Sequence, residues 1–188
     1  VEDSRGGAGV FDHVVIATHA DQALGMLDVP TPDENKLLGA FTYRRNLAVL
    51  HSDPQFMPKR RAAWASWNYI SGRERENPCF TYWMNRLQNL ATVTPLFVTL
   101  NPPKPPRPEL LHYSESYDHP ILDARAMAAQ HQLWQLQGIQ RTWFCGAHFG
   151  SGFHEDGLQA GLAVAEQLGG VRRPWNVENE SGRIVVGP

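Results

Sequence analysis

The stretch from Trp143 to Gly161 constrains the fold more than any other part of this chain. It opens on apolar Trp143, Phe144 and Cys145, which predict a strand over about 142–145. It then breaks into a turn holding Gly146, Gly150, Gly152 and Gly157. A helix is predicted from about Glu155 to Leu168, with Leu158, Leu162, Ala165 and Leu168 on one face and Gly169-Gly170 at its end. Strand, glycine turn and helix in this order belong to α/β architecture. Glycines let a backbone come close to a ligand, and the free N–H groups of a helix start favour anions or electron-rich oxygens. Glu155 and Asp156 put negative charge there, which suits the helix dipole. A polar, uncharged acceptor such as a flavin carbonyl meets less repulsion than a phosphate. An ordinary strand-to-helix connection is the plain alternative.

Elsewhere the pattern is mixed. Val14, Val15 and Ile16 run without polar alternation, as in a short strand buried on both faces of a parallel sheet. Thr31, Pro32 and Glu34 spell a capping box and predict a short helix to about Gly39. Strands are predicted at 47–51, 62–70, 79–87 and 95–100, with Trp64 and Trp67 on opposite faces of the second. Turns at Ser52-Asp53-Pro54, Ser71-Gly72 and Asn77-Pro78 separate them, so the sheet is antiparallel or mixed. Five prolines between Asn101 and Pro108 exclude regular structure there. Leu122, Ala126, Ala129, Leu133 and Leu136 share one face of a helix predicted over about 121–137, opened by Pro120 and closed by Gly138. The polar tail from Val171 to Pro188 is expected to be loosely held.

Composition removes several function classes. The chain has 188 residues, a formal charge of -2 and 19% charged residues. It is long enough for a proper core, and it is neither an acidic disordered tail nor a basic nucleic-acid module. Arg44-Arg45 and Lys59-Arg60-Arg61 are small basic clusters at a solvated sheet end. Two cysteines allow at most one bridge. No run approaches the roughly 18 apolar residues of a membrane helix, and no targeting segment is legible, so a cytoplasmic location is expected. The first residue is Val1, so the chain is expected to be processed or cut from something longer.

The glycine turn also admits rival readings. His148, His154, Glu155 and Asp156 have metal-ligand chemistry, but no HExxH or CxxC pattern supports them. Cys145 sits in a predicted buried strand, where a thiol is inert. Gly150-Ser151-Gly152 is not a nucleophile elbow, because Phe149 and Phe153 hold the outer glycine positions. Trp64, Trp67, Tyr69, Tyr82 and Trp83 read as sheet-face packing or as an apolar substrate pocket.

The segment 143–161 resembles the C-terminal flavin-binding signature of the FAD-dependent amine oxidoreductase superfamily. It is closest to the bacterial branch of flavin-containing amine oxidases described as predicted NAD/FAD-binding proteins. Residues 11–21, 60–69, 82–85 and 96–102 resemble that branch as well. The resemblance implies the C-terminal half of a Rossmann-type FAD-binding fold with an inserted mixed β-sheet substrate domain. By it, residues 1–29 belong to the FAD-binding domain and 30–118 to the substrate domain. Residues 119–175 hold a connecting helix and the return to the FAD-binding domain, and 176–188 are a tail. Implied flavin contacts are Ala17, Thr18, Gly146, Ala147, Phe153, His154, Glu155, Asp156, Gly157 and Leu158. The implied reaction is two-electron oxidation or desaturation of a small molecule by hydride transfer to FAD, and the aromatic set, where it forms a pocket, would make that substrate apolar.

Two departures qualify the resemblance. Ala147 stands where many amine oxidases carry an acidic residue. The strand–GxGxxG–helix unit that holds the ADP half of FAD is missing, since Gly6-Gly7-Ala8-Gly9 precedes a strand instead of following one. The chain alone is therefore expected to bind FAD weakly or not at all, and its exposed edges to favour a homodimer. The alternative is a non-catalytic interaction module that pairs with a separate flavin-domain chain.

Overall fold

In the computed structural model, residues 1–70, 79–172, 174–175, 178 and 182–187 are described. The elements are β1 (Val14–Ile16), α1 (Ala20–Met26), α2 (Pro32–Leu38), β2 (Thr42–His51), β3 (Trp67–Ile70) and β4 (Cys79–Trp83). They continue with α3 (Met84–Leu87), β5 (Phe97–Leu100), β6 (Leu111–Ile121), α4 (Ala124–Gln130), β7 (Thr142–Phe144) and α5 (His154–Gln167). The fold is mixed α/β with one parallel and one largely antiparallel sheet. Two compact units divide the chain. One is formed by Val1–Tyr43 with Pro120–Pro188, the other by Arg44–His119. Among the described residues no helix is long and apolar enough to cross a membrane.

In the first unit β1 and β7 pair in parallel, Val14 opposite Thr142 and Ile16 opposite Phe144. The strand is buried on one face only, because Val15 is 45% exposed while Ile16 joins the core. The expectation of burial on both faces is corrected, since among the described residues this sheet has two strands and helices pack on the Ile16 side. That core holds Ala20 and Ala23 of α1, Leu37 and Leu38 of α2, Ala126 and Ala129 of α4, and Ala160 and Val164 of α5. The capping box forms as the sequence predicts. The Thr31 hydroxyl accepts from Glu34 N at 3.2 Å, and the Glu34 carboxylate accepts from Thr31 N at 2.7 Å.

Three boundaries move. Residues 30–43, expected with the inserted domain, lie in the first unit, because Leu37, Leu38, Ala40 and Phe41 are in its core. The helix expected over 121–137 is α4 followed by a 3-10 turn at Leu133–Leu136. Pro120 belongs to β6, and Asp123 is the cap, accepting from Ala126 N at 2.9 Å. Ala126, Ala129, Leu133 and Leu136 are nonetheless all buried. The described part of the tail is held, with Ile184 in the core and Arg183 bound to Asp156.

The second unit is a five-stranded sheet in the order β3-β4-β5-β2-β6. The strand expected over 62–70 begins as a 3-10 turn, Arg61–Ala63, and pairs only over β3. Trp64 therefore lies outside the strand and packs edge-on against Trp83, 5.3 Å between centroids. The strand expected over 79–87 stops at Trp83, where α3 begins. The turns expected at Ser71-Gly72 and Asn77-Pro78 lie outside the described residues.

Register sorts the side chains of this sheet by face. Val49, Thr99, Thr81 and Asn68 stand opposite one another across four strands, all buried. The rows on either side are Ala48–Leu100–Phe80–Tyr69 and Leu50–Val98–Tyr82–Trp67. Alternation sends both to the opposite face, and the two rows are made of aliphatic and aromatic residues. Trp67 and Tyr69 are 54% and 55% exposed there, and Trp67 stacks on Phe80 at 5.3 Å.

Candidate functional site

The parallel pairing of β1 with β7 brings together two segments far apart in sequence. Both strands run the same way, so both lead out at the same end of the sheet. One continues into Ala17 and Thr18, the other into Cys145 and Gly146, and Cys145 N still donates to Ile16 O at 3.1 Å. Gly146 has φ 151°, a conformation that L side chains rarely adopt. A Cβ there would stand 2.9 Å from His148 Nδ1 and 3.1 Å from the Thr18 carbonyl. Thr18 and Gly146, both expected at a flavin, are thus neighbours, and the approach requires glycine.

The turn is fixed from behind. Gln130 Nε2 donates to the carbonyls of His148 and Gly150, at 2.9 and 2.6 Å. Residues Ala147–Phe149 make a 3-10 turn, and α5 starts after Phe153. Phe153 and Leu158 are 62% and 57% exposed at this start, and His154, Glu155 and Ala17 are exposed too. Gly157 lies in the first turn of α5.

Asp156 plays a different part from its neighbours. Its carboxylate is fully buried, accepts from Phe153 N at 2.8 Å and binds Arg183 Nε at 2.6 Å. Burial alone would raise this carboxyl. The bonds from Arg183 and from the Phe153 and Ser151 backbones outweigh that and hold it below its ordinary range. Gly150 makes room, since a Cβ there would meet the Asp156 carboxylate at 2.7 Å and Arg183 O at 2.9 Å. The Asp156 side chain is therefore a clamp between the helix start and the tail.

His148 lies under the turn, 4% exposed. Its ring meets Phe41 at 5.4 Å and Phe149 at 4.9 Å, and its Nε2 has no hydrogen-bond partner. Burial, with a smaller push from His19, lowers its pKa to about 4, so the ring is neutral near pH 7. His19 stacks on Tyr43 at 4.4 Å, and the Tyr43 hydroxyl accepts from Ala20 N at 2.8 Å. Burial raises the Tyr43 phenol and the Cys145 thiol alike, which keeps both protonated. The sequence singled out His148 as a metal ligand or as a neighbour of the Cys145 thiol and gave no signal for Tyr43, which sits far from the turn in the chain. Among the described residues no group of three or more His, Cys, Asp and Glu side chains is placed to hold a metal ion.

The second unit has its own polar interior. His51 is fully buried and bonded on both nitrogens, Nε2 to the Thr99 hydroxyl at 2.7 Å and Nδ1 from Asp53 N at 3.1 Å. Thr99 in turn bonds the Thr81 hydroxyl at 2.9 Å. Burial lowers the His51 pKa to about 4. Asp53 is buried and takes Arg107 Nε at 3.1 Å and Arg107 N at 3.0 Å. Of the basic clusters, Arg44 and Arg45 are exposed and Arg61 covers the Trp64 ring at 5.2 Å. Compared with known protein families, the chain matches none, and a comparison with curated proteins finds no match either.

Proposed function

We propose that this chain supplies the C-terminal part of an FAD-dependent oxidoreductase of the amine oxidase type. The observation that carries the reading is the meeting of Ala17-Thr18 with Gly146 at one end of a parallel strand pair, beside the start of α5. In open α/β sheets, ligands bind beyond the carboxyl ends of the strands. The Gly146 cradle, which a Cβ would fill, fits a flat cofactor edge drawn against the backbone. Ala17, Thr18, Gly146, Ala147, Phe153, His154, Glu155, Gly157 and Leu158 would hold it there, while the Asp156 carboxylate holds the helix start in place.

FAD, when bound, supplies a two-electron acceptor for oxidation or desaturation. The chain's own work is to shape the turn, exclude water through Phe153 and Leu158, and keep the His148 ring neutral beneath. The two apolar rows of the second unit favour an apolar substrate. A second reading, a non-catalytic module that pairs with a separate flavin-domain chain, is favoured by the half-exposed Val15 on the two-stranded sheet. A parallel sheet is ordinarily covered on both faces.

The test is an FAD titration followed by visible absorption, then gel filtration. The chain alone is expected to perturb the flavin band saturably and to lose most of the flavin on the column. Leu158→Asp, at an exposed position of the helix start, should abolish the perturbation while circular dichroism stays unchanged. A flavin band indifferent to the wild-type chain at every FAD concentration overturns the reading.

A further inference from the structure

β6 closes one end of the five-stranded order in the second unit, with β2 on its inner side. Among the described residues no strand pairs with its outer side. It runs for 11 residues, Leu111–Ile121, about twice the usual length of a strand. Every residue from Leu111 to His119 is exposed except Ser116, which is half-buried, and Tyr113 and Tyr117 are 57% and 52% exposed. An edge of this kind presents a row of unpaired N–H and C=O groups to any chain that can lie beside it.

Proteins ordinarily blunt such edges with short strands, with Lys or Pro in the strand, or with a bulge. Between Leu111 and His119 there is neither Lys nor Pro, and the strand is continuous. Pro120 stands one residue from its end, where a missing N–H costs the ladder little. The formal charges of the strand are two carboxylates, Glu115 and Asp118. Both are matched by the same strand running the other way. The midpoint of Leu111–Ile121 is Ser116, so an antiparallel copy centred there overlaps all 11 residues. That register sets Glu115 opposite Tyr117 and Asp118 opposite Ser114, a hydroxyl before each carboxylate, and Tyr113 opposite His119. A register centred on Glu115 would set two carboxylates against each other. A phenol already meets this carboxylate within the strand, since Tyr113 Oη donates to Glu115 Oε2 at 2.8 Å.

We propose that β6 is the docking edge for a second copy of this chain, which adds its own β6 antiparallel across a two-fold axis at Ser116. The two five-stranded sheets then form one continuous sheet. Main-chain hydrogen bonds hold the pair, and the contacts of Glu115 with Tyr117 and of Asp118 with Ser114, repeated on either side of the axis, fix its register. The edge belongs to the second unit and uses none of the turn residues, so the proposal stands apart from the flavin reading.

The experiment is sedimentation velocity of the full chain over a concentration series, with cysteine cross-linking as the test of register. The chain is expected to sediment as a monomer–dimer equilibrium that moves toward the dimer as concentration rises. In Ser116→Cys the two new thiols face each other across the axis, within reach of a disulfide, and mild oxidation should give a dimer on a non-reducing gel. In Ser114→Cys the twin thiol lies about 14 Å away along the strand, and no bridge should form. Cys79 and Cys145 are buried and should not contribute. Ser116→Lys, which sets two ammonium groups against each other, should weaken the dimer about fivefold. Circular dichroism checks that each variant is folded. A chain that stays monomeric throughout the series overturns the proposal. So does a dimer that Ser116→Lys leaves unchanged, or equal cross-linking at positions 114 and 116, since the interface would then lie elsewhere.

Discussion

Each unit buries a histidine and clamps a carboxylate, and only the histidines differ in kind. Asp53 with Arg107 and Asp156 with Arg183 are alike, a buried carboxylate under a partly exposed arginine. His51 and His148 both have a pKa near 4, driven first by burial. Yet His51 is bonded on both nitrogens, whereas His148 Nε2 has no partner. Depth of burial therefore does not distinguish the two histidines. The count of satisfied atoms does. A folded core tolerates an orphaned polar atom rarely, and such atoms gather where something other than stability is being built.

The largest effect should come from acid, which treats the two histidines as equals. Their folded pKa values lie below the ordinary 6.5, so the unfolded chain binds more protons between about 6.5 and 4. Stability should be fully present above pH 6.5 and fall as pH drops through that window, by about 3 kcal/mol for each ring. The carboxylate clamps act lower, because Asp53 and Asp156 have lowered pKa values and lose their contribution only as pH falls below the ordinary 3.8. Urea unfolding from pH 7 to 4 measures this, and a flat profile would sink the account of both histidines.

Asp156→Ala comes next. It strands Arg183, frees Phe153 N and leaves the tail unclamped, at a cost of about 3 kcal/mol. Faster proteolysis within residues 182–187 should accompany the loss of stability, and equal cleavage in both proteins would argue that the tail is held by Ile184 alone.

The histidines then separate under the same substitution. His51→Phe takes away one of the two partners of the Thr99 hydroxyl and leaves Asp53 N without its His51 acceptor, and should cost about 2 kcal/mol. His148→Phe removes an unmet nitrogen from an aromatic surround of Phe41 and Phe149, and should change stability by less than about 0.5 kcal/mol or raise it. Equal losses in chemical unfolding would erase the contrast on which this comparison rests.

Local chemistry made part of this fold readable. The Thr31–Glu34 box, the spacing of Ala126, Ala129, Leu133 and Leu136, and the strand, turn and helix order of 142–168 all depend on residues a few positions apart. What was hidden depends on distant partners. Arg107 reaches Asp53 across 54 residues and Arg183 reaches Asp156 across 27. No local signal reports such pairs. β6 escaped because it is exposed along most of its length, and its alternation of Leu111, Tyr113 and Tyr117 with polar residues is broken by Glu115. At the candidate site, the glycines and the helix start were legible, while the stacking of His19 on Tyr43 was not.

The doorway of the second unit has a consequence for how the molecule folds. That unit begins at Arg44 and ends at His119, and near those ends Asn46 Nδ2 meets His119 Nδ1 at 3.1 Å. The first unit is assembled from chain on both sides of this insertion, so its two halves must find each other across a long loop. Closing such a loop costs entropy and slows the search. Once the inserted sheet has formed, its touching ends turn that loop into a span of a few ångströms. The guest thus acts as a template for the host, and a mutation that loosens β2 against β6 should slow the pairing of β1 with β7 even though no residue of that pair has changed.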